Sequence, residues 1–400
     1  MDIALEEKEK NARPRKQDGA GYYHHNSVEL VKGGKDYFNL LESMIDQAQQ
    51  SVYLQTYIFE ADQTGQRIAG ALVRAASRKV KVALLLDGYA SQHLPDWLTE
   101  SMRSAGVKLD WFQPLLKSRK FYFGRRLHHK VVVVDSCRAL VGGLNISDRY
   151  NDTDTHRAWL DWAVHVEGDA VNLIQRICQR RSKILWPSRK NALSGPHGNS
   201  DQNAPVKVRV RINDWVNRKM QVFNSYMEMF RRAESHIIIM SPYFMPGYVF
   251  RKKLADAVKR GVNVSVILGS KSDVKIARYA EQYLYPWLLR NNITIYEYQQ
   301  NVLHGKLATY DNKWVTVGSY NINNISAYAS VELNIDIDDG YFASNVQSEL
   351  MRIMNEDCVR ITLAQYEKRA SLFQRFLQRS AYDIIRILFF AFTFYFRQRD

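Results

Sequence analysis

Histidine, lysine and aspartate recur at one spacing in two places of the chain, 176 residues apart. The two copies are His128-x-Lys130-x4-Asp135 and His304-x-Lys306-x4-Asp311. A short glycine-containing segment follows each copy and ends in an asparagine, Asn145 in the first and Asn321 in the second. Residue types and spacings agree at every one of these positions, so we interpret the copies as two halves of one active site.

The side chains of these motifs suit chemistry at a phosphodiester. Residues two apart on a β-strand share a face, so each motif histidine points the same way as its lysine. One imidazole can attack phosphorus while the other, protonated, donates a proton to the leaving oxygen. The two lysines, with Asn145 and Asn321, would bind the non-bridging oxygens as charge develops. With two ammonium groups in place we expect neither a metal ion nor another cofactor, and no carboxylate cluster or His-x-His pair stands out.

Some residues in or beside the motifs have a structural alternative. Asp135 and Asp311 stand at the far ends of their strands, where a turn or an ion pair is the expected role, although both are kept with the catalytic candidates. Asn145 and Asn321 could form turns instead of binding phosphate. His129 alternates to the face opposite the neighbouring motif histidine, so we expect it to be structural.

A duplicated α/β unit is predicted to carry the two motifs. Two apolar runs of strand type, 51–59 and 236–244, each precede a helical segment and a second strand, which predicts a parallel β-α-β unit in each half. A further strand pair in each half, near 130–142 and 305–318, contains the motif. The expected fold class is α/β, with two homologous domains, each a mixed sheet flanked by helices. A pseudo-twofold axis would bring both motifs into one shared active site.

A segment rich in Pro, Gly, Ser and Asn separates the two halves and predicts a linker or a long loop. The expected divisions are a polar N-terminal tail, a first domain, the linker, a second domain and an apolar C-terminal tail. Their residues are 1–20, 21–186, 187–205, 206–362 and 363–400.

The C-terminal tail combines helical periodicity with interleaved arginines. Leu372, Phe373, Phe376 and Leu377 recur at helical spacing, and a strongly apolar run follows at 384–396. The ten consecutive residues 387–396 would span about 15 Å as a helix, roughly half the hydrocarbon thickness. The tail therefore favours a place in the membrane interface over a transmembrane span. A packing helix or a dimer helix is the alternative.

Composition limits the classes of function. The 400 residues carry a formal net charge of +15, which favours an anionic partner such as nucleic acid, anionic lipid or a phosphorylated small molecule. The three cysteines form no C-x-x-C pair, which fits a reducing compartment. The N-terminal residues are polar and show no signal peptide. The basic, aromatic run 117–126 is either a solvated loop or a rim for lipid headgroups.

With the glycine and asparagine that follow them, the paired motifs are similar to those of the phospholipase D superfamily. The flanking stretches resemble those of bacterial cardiolipin synthases, in the short form without N-terminal membrane spans. The stretches concerned are Leu54–Phe59, Leu86–Ser91, Gly142–Asn145, Tyr243–Gly247 and Leu303–Lys306. The resemblance runs from about residue 26 to about residue 361.

The resemblance implies a two-step mechanism through a phosphohistidine, with His128 as the nucleophile and His304 as general acid and base. It also implies that an acidic residue some thirty positions beyond each motif histidine orients that histidine's ring. This assigns Asp161 to His128 and Glu332 to His304. The sequence departs from the commonest pattern at Asp161, where glutamate is usual, and at Gly143, where serine is usual.

The function implied is cardiolipin synthesis, in which a phosphatidyl group passes from one phosphatidylglycerol to another and glycerol is released. Phosphatidylethanolamine could replace phosphatidylglycerol as donor or acceptor. A phospholipase D-type hydrolase or a nuclease would use the same residues with water as acceptor, whereas a non-enzymatic binding module leaves both catalytic sets unexplained. Because the tail suits an anionic membrane surface better than DNA, we expect a peripheral enzyme on the cytoplasmic face of the cell membrane, without a nucleic-acid partner. The sequence indicates no oligomeric state.

Overall fold

A computed structural model describes residues 21–114, 125–181 and 205–397 of the chain. The predicted N-terminal tail 1–20, most of the basic run 117–126 and nearly all of the predicted linker 187–205 lie outside the described residues. The division of the chain at that linker therefore stays a prediction. The described part contains two α/β units built on one plan, which confirms the fold class expected from the repeat.

The first half forms one mixed sheet with helices around it. The strands of this half are β1 (Tyr23–Lys32), β2 (Ser51–Thr56), β3 (Lys81–Asp87), β4 (Lys108–Phe112), β5 (Arg126–Leu127), β6 (Lys130–Val134), β7 (Arg138–Gly142) and β8 (Trp162–Gly168). β5 lies outside the sheet and pairs with a strand of the second half. β2, β3 and β4 are parallel, and β6, β7, β8 and β1 extend the sheet from β2 in antiparallel order. The helices are α1 (Lys35–Asp46), α2 (Gln63–Ser77), α3 (Asp96–Ser104) and α4 (Val171–Arg181).

The second half repeats this order. Its strands are β9 (Val206–Asp214), β10 (Lys219–Met220), β11 (His236–Met240), β12 (Asn263–Gly269), β13 (Thr294–Tyr298), β14 (Leu307–Tyr310), β15 (Trp314–Gly318), β16 (Ser330–Asp338) and β17 (Cys358–Ile361). β11, β12 and β13 are parallel, and β14, β15, β16 and β9 follow from β11 in antiparallel order. Its helices are α5 (Gln221–Arg232), α6 (Tyr248–Lys259), α7 (Lys275–Tyr283), α8 (Tyr285–Arg290), α9 (Asn324–Tyr328), α10 (Gly340–Glu356), α11 (Leu363–Arg369) and α12 (Leu372–Arg397).

The two sheets are joined where β1 and β9 pair antiparallel. One cluster of buried apolar side chains draws on both halves, and the motif strands contribute to it through Val131 and Val133 of β6 and Leu307 of β14. Two further cores lie under the helices of the first and the second half. Because the halves share a core, the two motifs are held in a fixed relation to each other.

The predicted tail forms the helices α11 and α12. One face of α12 packs on α7, where the rings of Tyr382 and Tyr283 are 4.8 Å apart and Gln378 is buried. Another face leaves Phe373 and Phe376 at 68% and 65% exposed. The tail thus packs partly on protein while keeping an apolar face in solvent. Among the described residues, no helix has both the length and the apolar character that a membrane span requires.

Candidate active site

Backbone hydrogen bonds hold each motif histidine against the opposite half of the molecule. The N–H of His128 donates to the carbonyl of Val331 at 3.0 Å. The N–H groups of His304 and Gly305 both donate to the carbonyl of Leu160 at 2.8 Å. The short strand β5 also pairs in parallel with the start of β16. His128 therefore lies beside Val331, which precedes Glu332, and His304 lies beside Leu160, which precedes Asp161.

Each histidine ring is bound by a carboxylate from the opposite half. Nδ1 of His128 lies 2.9 Å from Oε2 of Glu332, and Nδ1 of His304 lies 2.5 Å from Oδ2 of Asp161. The pairing within each half that the resemblance implied is therefore wrong. The reason is the backbone pairing between the halves, which places each acidic residue beside the other half's motif. A carboxylate at Nδ1 leaves Nε2 as the reactive nitrogen of both rings.

Lys130 and Lys306 are buried beside the two rings, at 3% and 1% exposed. Nζ of Lys130 donates to the carbonyl of His128 at 2.6 Å. Nζ of Lys306 donates to the carbonyl of His304 and lies 2.8 Å from Nδ1 of that ring. Burial and repulsion from Lys306 lower the pKa of Lys130 to about 7, and burial lowers the pKa of Lys306 to about 8. Asp161, 3.9 Å from Nζ of Lys306, and Glu332 offset only part of this effect, so the two lysines favour an anion between them.

The two imidazoles and their carboxylates are also buried, and this burial shifts the pKa values of His128, His304 and Asp161. Burial lowers the pKa of His128, and Glu332 offsets part of the effect. Burial and the charge of Lys306 lower the pKa of His304 well below its usual range, and burial raises the pKa of Asp161 to about 6. A phosphate anion between the lysines would favour the protonated forms of these groups. In the described part of the chain, no group of three His, Cys, Asp or Glu side chains could hold a metal ion.

Asp135 and Asp311 lie in the turns at the far ends of the motif strands. The carboxylate of Asp135 accepts hydrogen bonds from the backbone N–H groups of residues 49–51, at 2.7–2.9 Å. That of Asp311 accepts from the N–H groups of residues 234–236, at 2.8–3.0 Å. The sequence places both aspartates with the catalytic candidates, and the structure corrects this by giving them a structural role in the turns. A whole strand separates them from the lysines, and their carboxylates bind the turn to the start of β2 or β11.

Comparison with known proteins matches both halves to one family. The family described as "Cardiolipin synthase, PLD-like domain" matches residues 41–167 and again residues 226–354. Cardiolipin synthase B of Escherichia coli strain K12 is 31% identical over 350 residues, which cover 86% of this chain and 84% of that protein. The chain belongs to the cardiolipin synthase family of phospholipase D-like proteins. The family recognised from the paired motifs is thereby confirmed.

One further relative of this cardiolipin synthase family member and one solved structure with a similar fold extend the comparison. Major cardiolipin synthase ClsA of Bacillus subtilis strain 168 is 27% identical over 360 residues, covering 86% of this chain and 72% of that protein. The crystal structure of phosphatidylserine synthase from Haemophilus influenzae has a TM-score of 0.70 at 14% identity. It covers 96% of this chain and 97% of that chain, so the two share the fold.

The two departures of this family member from the usual motif compensate each other. A Cβ atom at Gly143 would lie 2.4 Å from Oδ1 of Asp161, so a serine does not fit beside this aspartate. In the second half the matching Ser319 donates its hydroxyl to Oε2 of Glu332 at 2.5 Å. The backbone N–H of Trp162 binds Asp161 instead, at 2.8 Å. The short aspartate therefore occupies space that a serine side chain would take.

The two motif asparagines have different surroundings. Oδ1 of Asn145 accepts from the N–H of Ile58 at 3.1 Å, and its Nδ2 donates to the hydroxyl of Tyr150 at 2.8 Å. Oδ1 of Asn321 is buried and has no hydrogen-bond partner among the described residues. Phosphate binding by either asparagine stays a prediction.

Aromatic rings beside the two histidines were not predicted from the sequence. The ring of Tyr57 meets His128 edge-on, with centroids 5.1 Å apart, and the ring of Tyr150 meets His304 in the same way at 5.0 Å. Tyr150 lies five residues after Asn145, but its matching position in the second motif is a serine. A comparison of the two repeats therefore gave no signal for it.

Proposed function

We propose that this chain synthesises cardiolipin by transferring a phosphatidyl group from one phosphatidylglycerol to another, with release of glycerol. The observation that carries the proposal is the crossed arrangement of two histidine–carboxylate pairs around two buried lysines. Such a site offers a nucleophile, a general acid and two cations to a single phosphate. The similarity to cardiolipin synthase B supports the choice of lipid substrates.

In the first step Nε2 of His128 attacks the phosphorus of the donor lipid, and the bond from phosphorus to the glycerol oxygen breaks. His304, protonated once the phosphate anion has entered, gives its Nε2 proton to that oxygen. Glu332 accepts the Nδ1–H of His128 and stabilises the cationic ring of the phosphohistidine. Lys130 and Lys306 bind the non-bridging oxygens, where charge grows.

In the second step the hydroxyl of the acceptor phosphatidylglycerol gives its proton to Nε2 of His304 and attacks phosphorus. The bond from phosphorus to His128 breaks, and cardiolipin leaves. Both histidines return to their starting forms. Phosphatidylethanolamine could replace the donor, because the groups that carry the mechanism act on the phosphate and not on the headgroup.

The enzyme is further proposed to work as a peripheral protein at the cytoplasmic face of the cell membrane, where its lipid substrates lie. The exposed face of α12 combines Phe373 and Phe376 with Arg379 and Arg386, whose side chains are 72% and 66% exposed. Apolar rings among arginines suit the surface of an anionic bilayer. Helix α7, on which α12 packs, begins two residues after Asp273, whose charge acts on His304. Helix α7 thus connects the helix that carries the apolar face with a residue that acts electrostatically on His304.

The direct test incubates the purified full chain with phosphatidylglycerol vesicles, with and without EDTA, and separates the products. Cardiolipin and glycerol in equal amounts, unchanged by EDTA, are the expected result. Phosphatidic acid as the only lipid product would assign a hydrolase, and cleavage of single-stranded DNA in a parallel incubation would assign a nuclease. Activity restored only by a divalent ion would contradict charge stabilisation by the lysines. His128→Asn, similar in size, serves as the inactive control.

The membrane proposal is tested by vesicle co-sedimentation of the double variant Phe373→Ser/Phe376→Ser. We expect weaker binding to anionic vesicles at unchanged circular dichroism, because apolar area leaves the interface. Tyr341→Ser, which removes a ring that is 72% exposed on α10, is the matched control. Equal loss of binding in both variants, or none in either, would contradict a role for this face.

A further inference from the structure

Position 91 of the first half and position 273 of the second half match in the repeat, but their side chains have opposite surroundings. Ser91 stands four residues after β3, and Asp273 stands four residues after β12. Ser91 is buried, accepts from the N–H of Phe59 at 3.0 Å and donates to the carbonyl of Tyr57 at 2.9 Å. Asp273 is exposed, and its one hydrogen bond among the described residues comes from the hydroxyl of Tyr243 at 2.5 Å.

In the second half a different residue replaces Ser91 as a hydrogen-bond acceptor. Phe244 matches Phe59, and its N–H donates to Oε1 of Glu281 at 2.9 Å. Glu281 lies on α7 and is 2% exposed. Because Glu281 binds this N–H, the carboxylate of Asp273 is not needed to hold the loop. Its second oxygen has no hydrogen-bond partner in the part of the chain that the structure describes.

The loop that carries Asp273 lies beside the second motif. It begins at Gly269, where a Cβ atom would lie 3.5 Å from Cβ of Leu303, the residue before His304. The charge of Asp273 acts on both His304 and Lys306. In the proposed mechanism His304 gives its proton to the glycerol oxygen, so the headgroup leaves on the side of the site where Asp273 lies.

A second hydrogen-bond acceptor lies close to the residue that binds Asp273. Two residues after Tyr243, the N–H of Met245 donates at 2.8 Å to the carbonyl of Ile322, which follows Asn321 in the chain. Asn321 is 5% exposed, and its Oδ1 has no hydrogen-bond partner among the described residues. A buried acceptor without a donor costs free energy, so we expect a ligand to supply the donor.

We propose that Asp273, held by Tyr243, is a specificity residue that binds the hydroxyl groups of the glycerol headgroup, with Asn321 as a second acceptor. The inference rests on the proposed transfer from phosphatidylglycerol. Beyond the reacting oxygen, that headgroup has two hydroxyl groups, and each can donate one hydrogen bond. Hydrogen bonds to a carboxylate are stronger than those to a neutral acceptor. A site built to bind hydroxyl groups therefore discriminates against a headgroup that lacks them.

The first test measures headgroup release in a single turnover, with the full chain in excess over the lipid, so that no acceptor is needed. The donors are phosphatidylglycerol and phosphatidylmethanol with the same acyl chains, presented in vesicles. Asp273→Ala should lower the rate with phosphatidylglycerol about 10- to 100-fold, the effect of a lost hydrogen bond to a charged group, and the rate with phosphatidylmethanol much less. Asp273→Asn keeps an acceptor oxygen without the charge, so it should lose less of the preference. Equal losses with the two donors would show that Asp273 acts only through its charge on His304, and would overturn the proposal.

The second test needs no turnover, since it compares the binding of glycerol phosphate and methyl phosphate to the full chain by calorimetric titration. We expect the wild type to bind glycerol phosphate more tightly and Asp273→Ala to bind both alike. Asp256→Ala, which removes a half-buried carboxylate of α6, is the matched control and should keep the preference of the wild type.

A wild type that binds the two phosphates equally, or an Asp273→Ala variant that keeps the preference, would overturn the proposal. A wild type that makes no cardiolipin from phosphatidylglycerol vesicles would instead remove the proposed function. The preference for glycerol phosphate would then still decide the role of Asp273, because its measurement does not depend on lipid transfer.

Discussion

The two halves of the molecule share one plan but hold the opposite half's histidine in different ways. The first half offers Asp161 to His304, at 2.5 Å, and the second offers Glu332 to His128, at 2.9 Å. The side chain of His304 is 7% exposed and that of His128 is 17% exposed. The repeat thus duplicates the reacting groups, whereas the difference between them arises in the residues that hold each ring. Those residues belong to the other copy.

The different roles proposed for His128 and His304 are tested most directly by replacing each histidine in turn. His128→Ala should lower the rate by more than about 10⁴-fold, beyond what acid–base assistance contributes, because the nucleophile is lost. His304→Ala should also abolish turnover, but a phosphoenzyme formed slowly from phosphatidylglycerol should accumulate, because the second step lacks its base. Acid-labile phosphate on the protein, followed with ³²P-labelled lipid, distinguishes the two variants. A phosphoenzyme in His128→Ala alone would exchange the two roles.

Exchanging the small residues beside the carboxylates should affect the halves unequally. Gly143→Ser should lower kcat by about 100-fold, because its Cβ would overlap the carboxylate of Asp161 and displace it from His304. Ser319→Gly removes one hydrogen bond to Glu332 and should cost about tenfold. Steady-state kinetics on both variants check the order. Addition of Asp161→Glu to Gly143→Ser should restore part of the rate, and equal losses in the two single variants would contradict the compensation.

The two buried lysines should lower the free energy of unfolding, and Lys130 should lower it by more than Lys306. Lys130 has a folded pKa of about 7 and Lys306 one of about 8, both below the ordinary 10.5. Stability tied to these groups is complete above pH 10.5 and is lost as pH falls through the folded pKa, so the free energy of unfolding should rise from pH 7 towards 10. Lys130→Met should raise the free energy of unfolding at pH 7 by about 2 kcal/mol, because an uncompensated buried ammonium group is removed. Lys306→Met should raise it by less, because Asp161, 3.9 Å from Nζ of Lys306, loses a cation. Both variants should be inactive. Denaturant titrations at several pH values measure the free energy of unfolding. A lower value in both variants than in the wild type would contradict the prediction.

The turn aspartates should behave alike in the two halves. Asp135→Asn and Asp311→Asn should each lower the free energy of unfolding by about 1–2 kcal/mol, because each weakens hydrogen bonds to three backbone N–H groups. The hydroxyl of Ser235, at 2.7 Å, and the three backbone N–H groups lower the pKa of Asp311 to about 2, so its contribution is present above pH 3.8 and is lost as pH falls through 2. Thermal unfolding between pH 2 and 7 checks this. A large fall in kcat at an unchanged free energy of unfolding would show instead that the aspartates take part in catalysis.

What the sequence could predict is what the two copies share. The spacing of His128 and Lys130, repeated at His304 and Lys306, was enough to bring four reacting side chains to one place. Their individual roles stay proposals. The sequence could not show that each carboxylate binds the histidine of the opposite half. Asp161 and Glu332 were expected on strands, but the sequence does not indicate which half each strand faces.

Other features of the site depend on contacts that differ between the copies. Tyr150 has Ser326 at its matching position, so a search for repeated residues passes over it. The compensation between Gly143 and Asp161 depends on the space that one missing Cβ leaves for a carboxylate, and only coordinates measure that. Features shared by both halves were therefore accessible from the sequence, whereas features that distinguish them required the structure.

The crossed pairs also have a consequence for the making of the protein. Glu332 follows His128 by 204 residues, so a ribosome that has released the first motif must still add most of the second half before His128 meets its carboxylate. At about 5–20 residues per second this takes about 10–40 seconds. For the first 176 of these residues the unfinished chain has the histidine and lysine of the first motif but not those of the second. We therefore expect the polypeptide to stay inactive until its synthesis is nearly complete.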